Sequence, residues 1–340
     1  MLYNNQKEEV IIMDMELLPV LSGRKLKLWT ELLERSGLTP DRQADMTLLL
    51  WENDELVATG SRLGNLLKCI SVDCSHQGQD LTATVLTHLR QDALQAGHRH
   101  LFLYTKPKNQ YLFSSLFFYP IAQTDSVLLM ENKPNGIGEF LDSLPVIPAS
   151  GTVGAVVMNC NPFTLGHRYL IETAAKDCDH LYVFILSEDK SHFREEDRMA
   201  MVQAGTADIP NVTVLPTGPY LISSATFPTY FLKEQAKIQN AQCELDVAIF
   251  VAYYAPKFGI TRRYVGTEPF CGITAQYNDA LEKLLPAHGI ALCQIPRLES
   301  GSTAISASAV RELLAAGNRE AILSLVPQST YNYILEHNLF

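Results

Sequence analysis

The carboxyl-terminal half of the sequence alternates short apolar runs with helical stretches, and this alternation restricts the possible folds more than any other feature. Strand-like and helix-like segments follow one another from residue 153 to the end. Repeated strand-then-helix units predict an α/β domain with a doubly wound parallel sheet. Ligands of such sheets bind beyond the carboxyl ends of the strands, where the strand order reverses. The predicted strands are 153–158, 181–186, 212–215, 247–252 and 263–265, and the predicted helices are 165–176, 195–204, 275–285 and 307–316.

A chain of 340 residues is long for one core and fits two domains. Three prolines and two glycines between 131 and 150 interrupt helix and strand periodicity, which predicts a linker there. The domains are therefore expected at 1–130 and 151–340. The first should be α+β with an antiparallel meander. Its predicted elements are strands at 47–51, 55–59, 66–72 and 100–104 and a helix at 81–96.

Charge and composition exclude several classes of function. A formal net charge of −10 argues against broad nucleic-acid binding, which needs an excess of Lys and Arg. The seven cysteines form no Cys-x-x-Cys pair and the nine histidines show no metal-ligand spacing, so no protein-held metal is expected. No apolar stretch approaches ~20 residues, and the amino terminus lacks targeting features. We expect a cytoplasmic protein that does not insert into membranes.

The loop after the first strand of the second domain carries the residues most suited to chemistry. It continues from Met158 as NCNPFTLGH (159–167), so that Thr164, Gly166 and His167 open the next helix. Free N–H groups and the helix dipole favour phosphate at such a position, and glycine permits close approach to the backbone. A histidine donor there suits transfer at an α-phosphate, which depends on positioning and charge stabilisation.

An isolated match of this kind is also explained by a capping threonine followed by a half-buried helix histidine. The second segment ISASAVR (305–311), at another predicted helix start, favours the phosphate-binding interpretation. Together they resemble the paired signatures of the nucleotidyltransferase superfamily, Thr/His-x-Gly-His and Ile-Ser-x-Ser/Thr-x-x-Arg. The resemblance implies that Ser306, Ser308 and Arg311 bind the β- and γ-phosphates, as guanidinium geometry allows.

We therefore expect two groups of site residues, one catalytic and one that contacts the nucleotide. The expected catalytic residues are His167, Thr164 and Arg311, and the expected nucleotide-binding residues are Asn159, Asn161, Phe163, Gly166, Arg194, Arg198, Glu268, Ser306 and Ser308.

A resemblance to one family extends over almost the whole chain. The segments VVMNCNPFTLGHRYLIETAA, SHFREEDRMAMV and RYVGTEPFCGITAQYN, with a preceding acetyltransferase-like domain, resemble the citrate lyase ligase family. That family uses ATP to convert acetate to acetyl-adenylate. It then passes the acetyl group to the thiol of the phosphoribosyl-dephospho-CoA group on the citrate lyase acyl carrier (gamma) subunit. The resemblance implies the same substrates and partner here, with Mg²⁺ bound mainly through the triphosphate.

Three of the expected site residues also have an alternative explanation. Arg194 and Arg198 lie four residues apart, and the resemblance places them near the nucleotide or pyrophosphate. Salt bridging with Glu195 or Glu196 competes as an explanation. Glu268 follows a predicted strand and would orient a substrate or an arginine, and the alternative is that it has no role in the site.

The amino-terminal domain resembles the GCN5-related acetyltransferases, but its pyrophosphate loop is altered. In the run VDCSHQGQDL (72–81) only Gly78 fits Gln/Arg-x-x-Gly-x-Gly/Ala. Ser75 replaces the basic or amide residue, and the Asp80 carboxylate would repel a pyrophosphate. Leu116, Phe117 and Phe118 occupy a segment where that family usually has a glycine before an aromatic residue. We expect a retained fold that has lost acetyl-CoA affinity and docks the carrier or its CoA-like arm.

Two other functions remain open from the residues alone. An adenylyltransferase that acts on pantetheine phosphate or a mononucleotide would share every site residue. A nucleotide-sensing or carrier-binding module without turnover is the alternative outside enzymes, and the intact set of site residues argues against it.

Overall fold

The computed structural model describes residues 13–148, 150–187, 191–221, 227–228, 230–231, 235–267, 272–300 and 303–340. For 235–239, 272–276, 299–300 and 303–304 it describes the backbone alone. The described residues form two compact units. One extends to Pro134 and includes the described part of Pro228–Ile238, and the other contains the described residues of Asn135–Phe227 and Gln239–Phe340.

The amino-terminal unit is a seven-stranded mixed sheet with helices packed on it. Its strand order is β1-β2-β3-β4-β5-β7-β6, and only the β4–β5 pair is parallel. The strands are β1 Met13–Leu18, β2 Met46–Glu52, β3 Glu55–Leu63, β4 Leu66–Val72, β5 Phe102–Thr105, β6 Tyr119–Gln123 and β7 Leu128–Glu131. The helices are α1 Gly23–Arg35, α2 Leu81–Gln95 and α3 Gln110–Ser115. The predicted meander and α+β class are confirmed.

Helix α2 packs closely on β3. A Cβ atom on Gly60 of β3 would lie 2.5 Å from Val85 Cγ1 and 2.9 Å from Leu89 Cδ1, so only glycine allows this approach. Val85 and Leu89 are fully buried in the core of the unit.

The strands β4 and β5 separate toward their carboxyl ends. Their ladder contains two pairs, Leu66 with Phe102 and Leu67 with Leu103, although β4 continues to Val72 and β5 to Thr105. A cavity of about 840 Å³ lies at this divergence, lined by residues of both strands, of the loop before α2 and of α3.

Part of the cavity wall comes from a distant segment of the chain. The Tyr230 hydroxyl donates to the Tyr104 carbonyl oxygen at 2.6 Å, and the Tyr230 carbonyl accepts from the Thr39 N–H at 2.6 Å. The Phe231 ring stacks on Tyr104 with centroids 6.4 Å apart. Burial raises the pKa of the Tyr230 hydroxyl well above its ordinary value, so it remains a donor.

The carboxyl-terminal unit is built on a five-stranded parallel sheet of order β10-β9-β8-β11-β12. The strands are β8 Val153–Met158, β9 His180–Ile185, β10 Val212–Pro216, β11 Arg262–Gly266 and β12 Ala291–Ile295, with a short pair β13 Glu299–Ser300 and β14 Thr303–Ala304. Successive strands proceed outward from β8 on one side and then restart at β11 on its other side. The doubly wound prediction is confirmed, and the strand order reverses between β8 and β11.

The helices of this unit cover both faces of the sheet. They are α4 Gly136–Asp142, α5 Leu165–Lys176, α6 Glu195–Thr206, α7 Gln235–Ile249, α8 Ala255–Phe258, α9 Gly272–Leu284, α10 Ala307–Ala315 and α11 Gln328–Glu336. Helix α4 falls inside the segment predicted as a linker, where Ile137 and Leu141 are buried. Among the described helices, none is long and apolar enough to cross a membrane.

The predicted strand at 247–252 is wrong, because this segment is helical. It covers the end of α7 and the start of a π-helical turn, Phe250–Tyr254, that continues into α8. Val247, Ile249 and Phe250 are all buried. A helix buried on most sides shows the same continuous apolar run as a buried strand, so periodicity could not separate them.

Candidate functional site

Helix α5 begins with a reciprocal hydrogen-bonded cap. Thr164 has extended backbone angles, and its Oγ1 accepts the His167 N–H at 3.3 Å. His167 Nδ1 in turn accepts the Thr164 N–H at 3.1 Å. This is a capping box in which histidine replaces the usual Glu or Gln. Because Nδ1 is an acceptor, the proton of the neutral ring resides on Nε2.

The His167 ring is neutral over the physiological pH range. Burial, and then the positive charge of Arg297, lower the pKa of His167 from 6.5 to about 4. The ring stacks at 6.1 Å on Phe163, whose side chain is fully buried. His167 is therefore a fixed neutral Nε2–H donor, and Phe163 supports its ring from the core.

The structure brings the two sequence signatures together. A Cβ on Gly166 would lie 3.2 Å from the Ile305 carbonyl oxygen. Glycine at this position therefore lets the two chain segments approach closely. Arg311 Nη1 donates to the Asn161 carbonyl oxygen at 2.5 Å, and its Nη2 donates to Ser308 Oγ at 3.0 Å. Arg311 thus joins the loop after β8 to the start of α10.

Helix α10 begins next to this loop with its own cap. Ser306 is the N-cap, and its Oγ accepts the Ala309 N–H at 3.2 Å. A hydroxyl group that accepts in this way retains its proton for donation. Ser306, Ser308 and Arg311 therefore place three donors at one helix start, beside that of α5.

One backbone donor of α5 is already used. The Leu165 N–H donates to the Leu325 carbonyl oxygen at 2.9 Å. The Gly166 N–H has no acceptor among the described residues, which leaves it as the donor of the first turn that a phosphate oxygen can take.

Arg198 has a supporting position. Its side chain is fully buried on α6, and Nη1 donates to the Asn159 carbonyl oxygen at 2.9 Å, to Asn159 Oδ1 at 2.7 Å and to the Leu186 carbonyl oxygen at 2.7 Å. Arg198 Nε donates to the Phe193 carbonyl oxygen at 3.1 Å. These bonds tie together the carboxyl ends of β8 and β9. Its contact with nucleotide stays a prediction.

Asn159 and Asn161 fix the loop that follows β8. Asn161 Oδ1 accepts the Phe193 N–H at 3.0 Å, and Asn159 Oδ1 also accepts from Ser191 Oγ at 3.2 Å. Both amide oxygens are therefore engaged with residues 191–193.

Arg194 is exposed at the start of α6. Its Nε lies 3.2 Å from Asp197 Oδ2, and its Nη1 lies 3.8 Å from Glu196 Oε2. The predicted alternative partner Glu195 instead accepts from the Ser187 hydroxyl at 2.5 Å. Arg194 is thus hydrogen-bonded to the buried carboxylate of Asp197, and its contact with a nucleotide stays a prediction. Glu268 lies outside the described residues.

Arg297 belongs to the site and was not predicted. It follows β12, its N–H donates to Thr267 Oγ1 at 3.2 Å and its Nε donates to the Thr267 carbonyl oxygen at 3.1 Å. Thr267 follows β11, so Arg297 lies at the same carboxyl edge as the loop after β8, and its charge acts on His167. Its place just after a strand, in the run Ile-Pro-Arg, was the available signal.

The corresponding loop of the amino-terminal unit has a different construction. The Asp73 carboxylate accepts the Ser75 N–H at 3.1 Å and the Ser75 hydroxyl at 2.6 Å, and these bonds lower the pKa of Asp73. Asp80 precedes α2 in the left-handed region (φ 55°) and makes no side-chain cap bond. The Asp73 carboxylate therefore takes up both donors of Ser75, and a second carboxylate, that of Asp80, precedes the helix.

Comparison with known proteins identifies one family over most of the chain. The family model described as "Citrate lyase ligase C-terminal domain" matches residues 153–334. Proteins named "[Citrate [pro-3S]-lyase] ligase" match nearly the full length. That of Escherichia coli K12 is 41% identical, covering 93% of both chains. That of Klebsiella pneumoniae is 41% identical over 89% of this chain and 91% of its own. That of Haemophilus influenzae Rd is 38% identical over 92% of this chain and 95% of its own.

Proposed function

Because this chain belongs to the citrate lyase ligase family, we propose that it is the ATP-dependent enzyme that activates citrate lyase by acetylating its acyl carrier subunit. In the first step an acetate oxygen attacks the α-phosphorus of ATP. The bond from that phosphorus to the bridging oxygen breaks, and pyrophosphate leaves with the electron pair. In the second step the carrier thiol attacks the acetyl carbon, the bond to AMP breaks and the thiol proton is released.

The observation that supports this proposal is the meeting of two helix starts around a neutral histidine. Negative charge develops on the α-phosphate as acetate attacks, and a preorganised N–H donor stabilises it. His167 Nε2 is such a donor, since its tautomer is set by Thr164 and its pKa of about 4 keeps it uncharged. A ring that stays neutral at physiological pH keeps Nδ1 as the acceptor of the Thr164 N–H and Nε2 as the donor.

The remaining donors suit the departing pyrophosphate. Ser306, Ser308 and Arg311 lie at the start of α10 and would hold the β- and γ-phosphates. Arg311 also bonds to the loop carbonyl of Asn161, so phosphate binding would order that loop. Arg297 supplies a further positive charge within electrostatic reach of His167.

Mg²⁺ would enter with the triphosphate. This cation usually keeps several waters and is held through substrate phosphates and few protein ligands. It would neutralise charge on the triphosphate and on the departing pyrophosphate.

An adenylyltransferase acting on a phosphorylated acceptor would use the same phosphate-binding residues. The full-length similarity to citrate lyase ligases includes the amino-terminal unit, which a nucleotide-binding domain alone would not need. The ligase reaction is therefore the function that we propose.

The test is a complete reaction with ATP, Mg²⁺, labelled acetate and a carrier bearing the free-thiol prosthetic group. We expect one AMP and one pyrophosphate for each acetyl group transferred, with the label on the prosthetic-group thiol by mass spectrometry. Formation of ADP, or label on a protein side chain in place of that thiol, would contradict the proposal.

A further inference from the structure

Helix α3 of the amino-terminal unit ends with an aromatic residue in a position that favours glycine. The Phe118 N–H donates to the Phe113 carbonyl oxygen at 3.0 Å, and the Phe117 N–H donates to that of Ser114 at 3.2 Å. This pair of bonds is a Schellman motif, which places Phe117 in the left-handed region at φ 62°. A bulky residue is unfavourable there, and glycine is the usual choice.

The strained Phe117 does not contribute to the core, since its side chain is 65% exposed. Two further residues of the same short segment are exposed, Tyr111 at 87% and Leu112 at 43%. We call Tyr111, Leu112 and Phe117 the aromatic rim. Several large apolar groups exposed within seven residues are typical of a binding surface, and aromatic residues dominate the energetics of such surfaces. A strained backbone at a residue whose side chain stays exposed also indicates a binding function.

The aromatic rim adjoins the cavity between β4 and β5. Leu112 lines the cavity of about 840 Å³ together with Ser115 and Leu116 of the same segment. Its volume falls in the range that holds extended small molecules. A partner seated on the rim would therefore have a cavity at its edge.

The positive charges near the aromatic rim indicate that its partner is acidic. Lys106 and Lys108 precede α3 and line the same cavity. Within the described part of the chain neither lysine has an ion-pair partner, although the protein carries a net charge of −10. Asp73, which pairs with Arg35, and Asp80 also line the cavity, so the excess positive charge belongs to the segment that leads into α3. Positive charge there steers an acidic partner toward the rim.

We propose that the aromatic rim, with Lys106 and Lys108, docks the folded surface of an acidic carrier protein. The inference rests on the proposed function, in which that protein is the acyl carrier. A free small molecule in the cavity would not need Tyr111, which lies on the surface. A symmetric contact between two copies of this chain would bring Lys106 and Lys108 of both copies toward one another, which is unfavourable.

The test uses the full chain and three changes to the surface: Phe117→Gly, Tyr111→Ser and the pair Lys106→Glu with Lys108→Glu. Phe117→Gly should leave the thermal midpoint unchanged or higher, because glycine accepts φ 62° without strain. Each change should raise the Kd of the carrier, measured by calorimetry, and its KM in the complete reaction by roughly tenfold, as expected for interface anchors. Leu94→Ser, at a position on α2 that is 57% exposed, is the matched control and should alter neither.

The acetate-dependent exchange of pyrophosphate into ATP, which needs no carrier, should be unchanged in all three variants. Normal carrier Kd and KM in folded Phe117→Gly and Tyr111→Ser proteins would overturn the docking surface. A wild-type dimer that dissociates in these variants while carrier affinity stays normal would assign the rim to self-association and also overturn it. Loss of exchange in the wild type would instead contradict the proposed function, and calorimetry with the carrier would still test the rim.

Discussion

Each unit contains a strand that leads through a loop into a helix, α5 in one unit and α2 in the other, but the two junctions are built from opposite chemistry. At α5 the loop presents Thr164, the Gly166 N–H and the His167 ring. At α2 the loop presents Asp73 and Asp80, and Asp73 accepts both donors of Ser75. The backbone geometry of a helix start is therefore insufficient for anion binding. The side chains decide whether its donors face a ligand or are already taken.

The second difference is the kind of residue that a distant segment of the chain brings to each junction. The α5 junction is contacted by Ile305 and Arg311, about 140 residues away. The cavity near α2 is bounded by Tyr230 and Phe231, whose contacts are a buried hydroxyl bond and a ring stack. Distant segments thus bring hydroxyl and guanidinium groups to one junction and two aromatic side chains to the cavity near the other.

The largest effect is expected from His167→Ala. Removing a preorganised donor at the reacting phosphate should lower turnover by about 10² to 10³. The matched control is His76→Ala, in the loop before α2, where the ring bonds to Glu52. It should leave the carrier-independent exchange of pyrophosphate into ATP unchanged, whereas the His167 variant should lose this exchange together with steady-state AMP formation. Near-normal rates in the His167 variant would remove this residue from the mechanism.

Arg311→Ala should weaken ATP binding by roughly 10- to 100-fold, the range expected when charge-assisted hydrogen bonds are lost. Arg35→Ala is the counterpart in the other unit, since Arg35 pairs with Asp73 at 3.2 Å. That change should not affect ATP affinity in calorimetric titration. Equal ATP affinities in the two variants would contradict the assignment of Arg311 to the β- and γ-phosphates.

Acetyl-CoA should bind the full chain no more tightly than in the millimolar range, because carboxylates occupy the loop before α2. Combining Ser75→Gln with Asp80→Gly should tighten binding by about tenfold, which corresponds to about 1.4 kcal/mol of relieved repulsion. Calorimetry on both proteins measures the difference. Micromolar binding of acetyl-CoA by the wild type would show that the carboxylates of the loop before α2 do not prevent anion binding.

The smallest effect is expected from Arg297→Gln. The positive charge of Arg297 lowers the pKa of His167, so its removal should raise that pKa above about 4. The rise in pKa should be the smaller part of the total effect, because burial is the larger cause. The acid limb of the pH–rate profile should therefore move to higher pH, and NMR titration of the ring should follow it. An unchanged His167 pKa would show that Arg297 does not act on this ring.

The fold was largely predictable because both hydrophobic patterns are regular. The strand at 153–158 and the helix at 165–176 were predicted with the bounds that the structure has. The failure at 247–252 has a physical cause, since α7 and its π-helical extension are buried where Val247 and Phe250 lie, and the run carries no polar face.

Local geometry was predictable where a motif fixes it, as in the helix start at Thr164 and His167, while the catalytic roles of these residues stay predictions. The histidine tautomer, the burial of Arg198 and the presence of Arg297 were not predictable. Each depends on contacts between segments that are far apart in sequence, such as Asn159 with Arg198 or Thr267 with Arg297.

The central claim is that the α5 junction activates acetate without help from the carrier, and isotope exchange tests it most directly. With ATP, Mg²⁺ and acetate alone, labelled pyrophosphate should return to ATP, because acetyl-adenylate formation is a reversible half-reaction. His167→Ala should lower that exchange in proportion to its effect on turnover. Exchange that is independent of acetate, or none in a folded protein that binds ATP, would contradict the account.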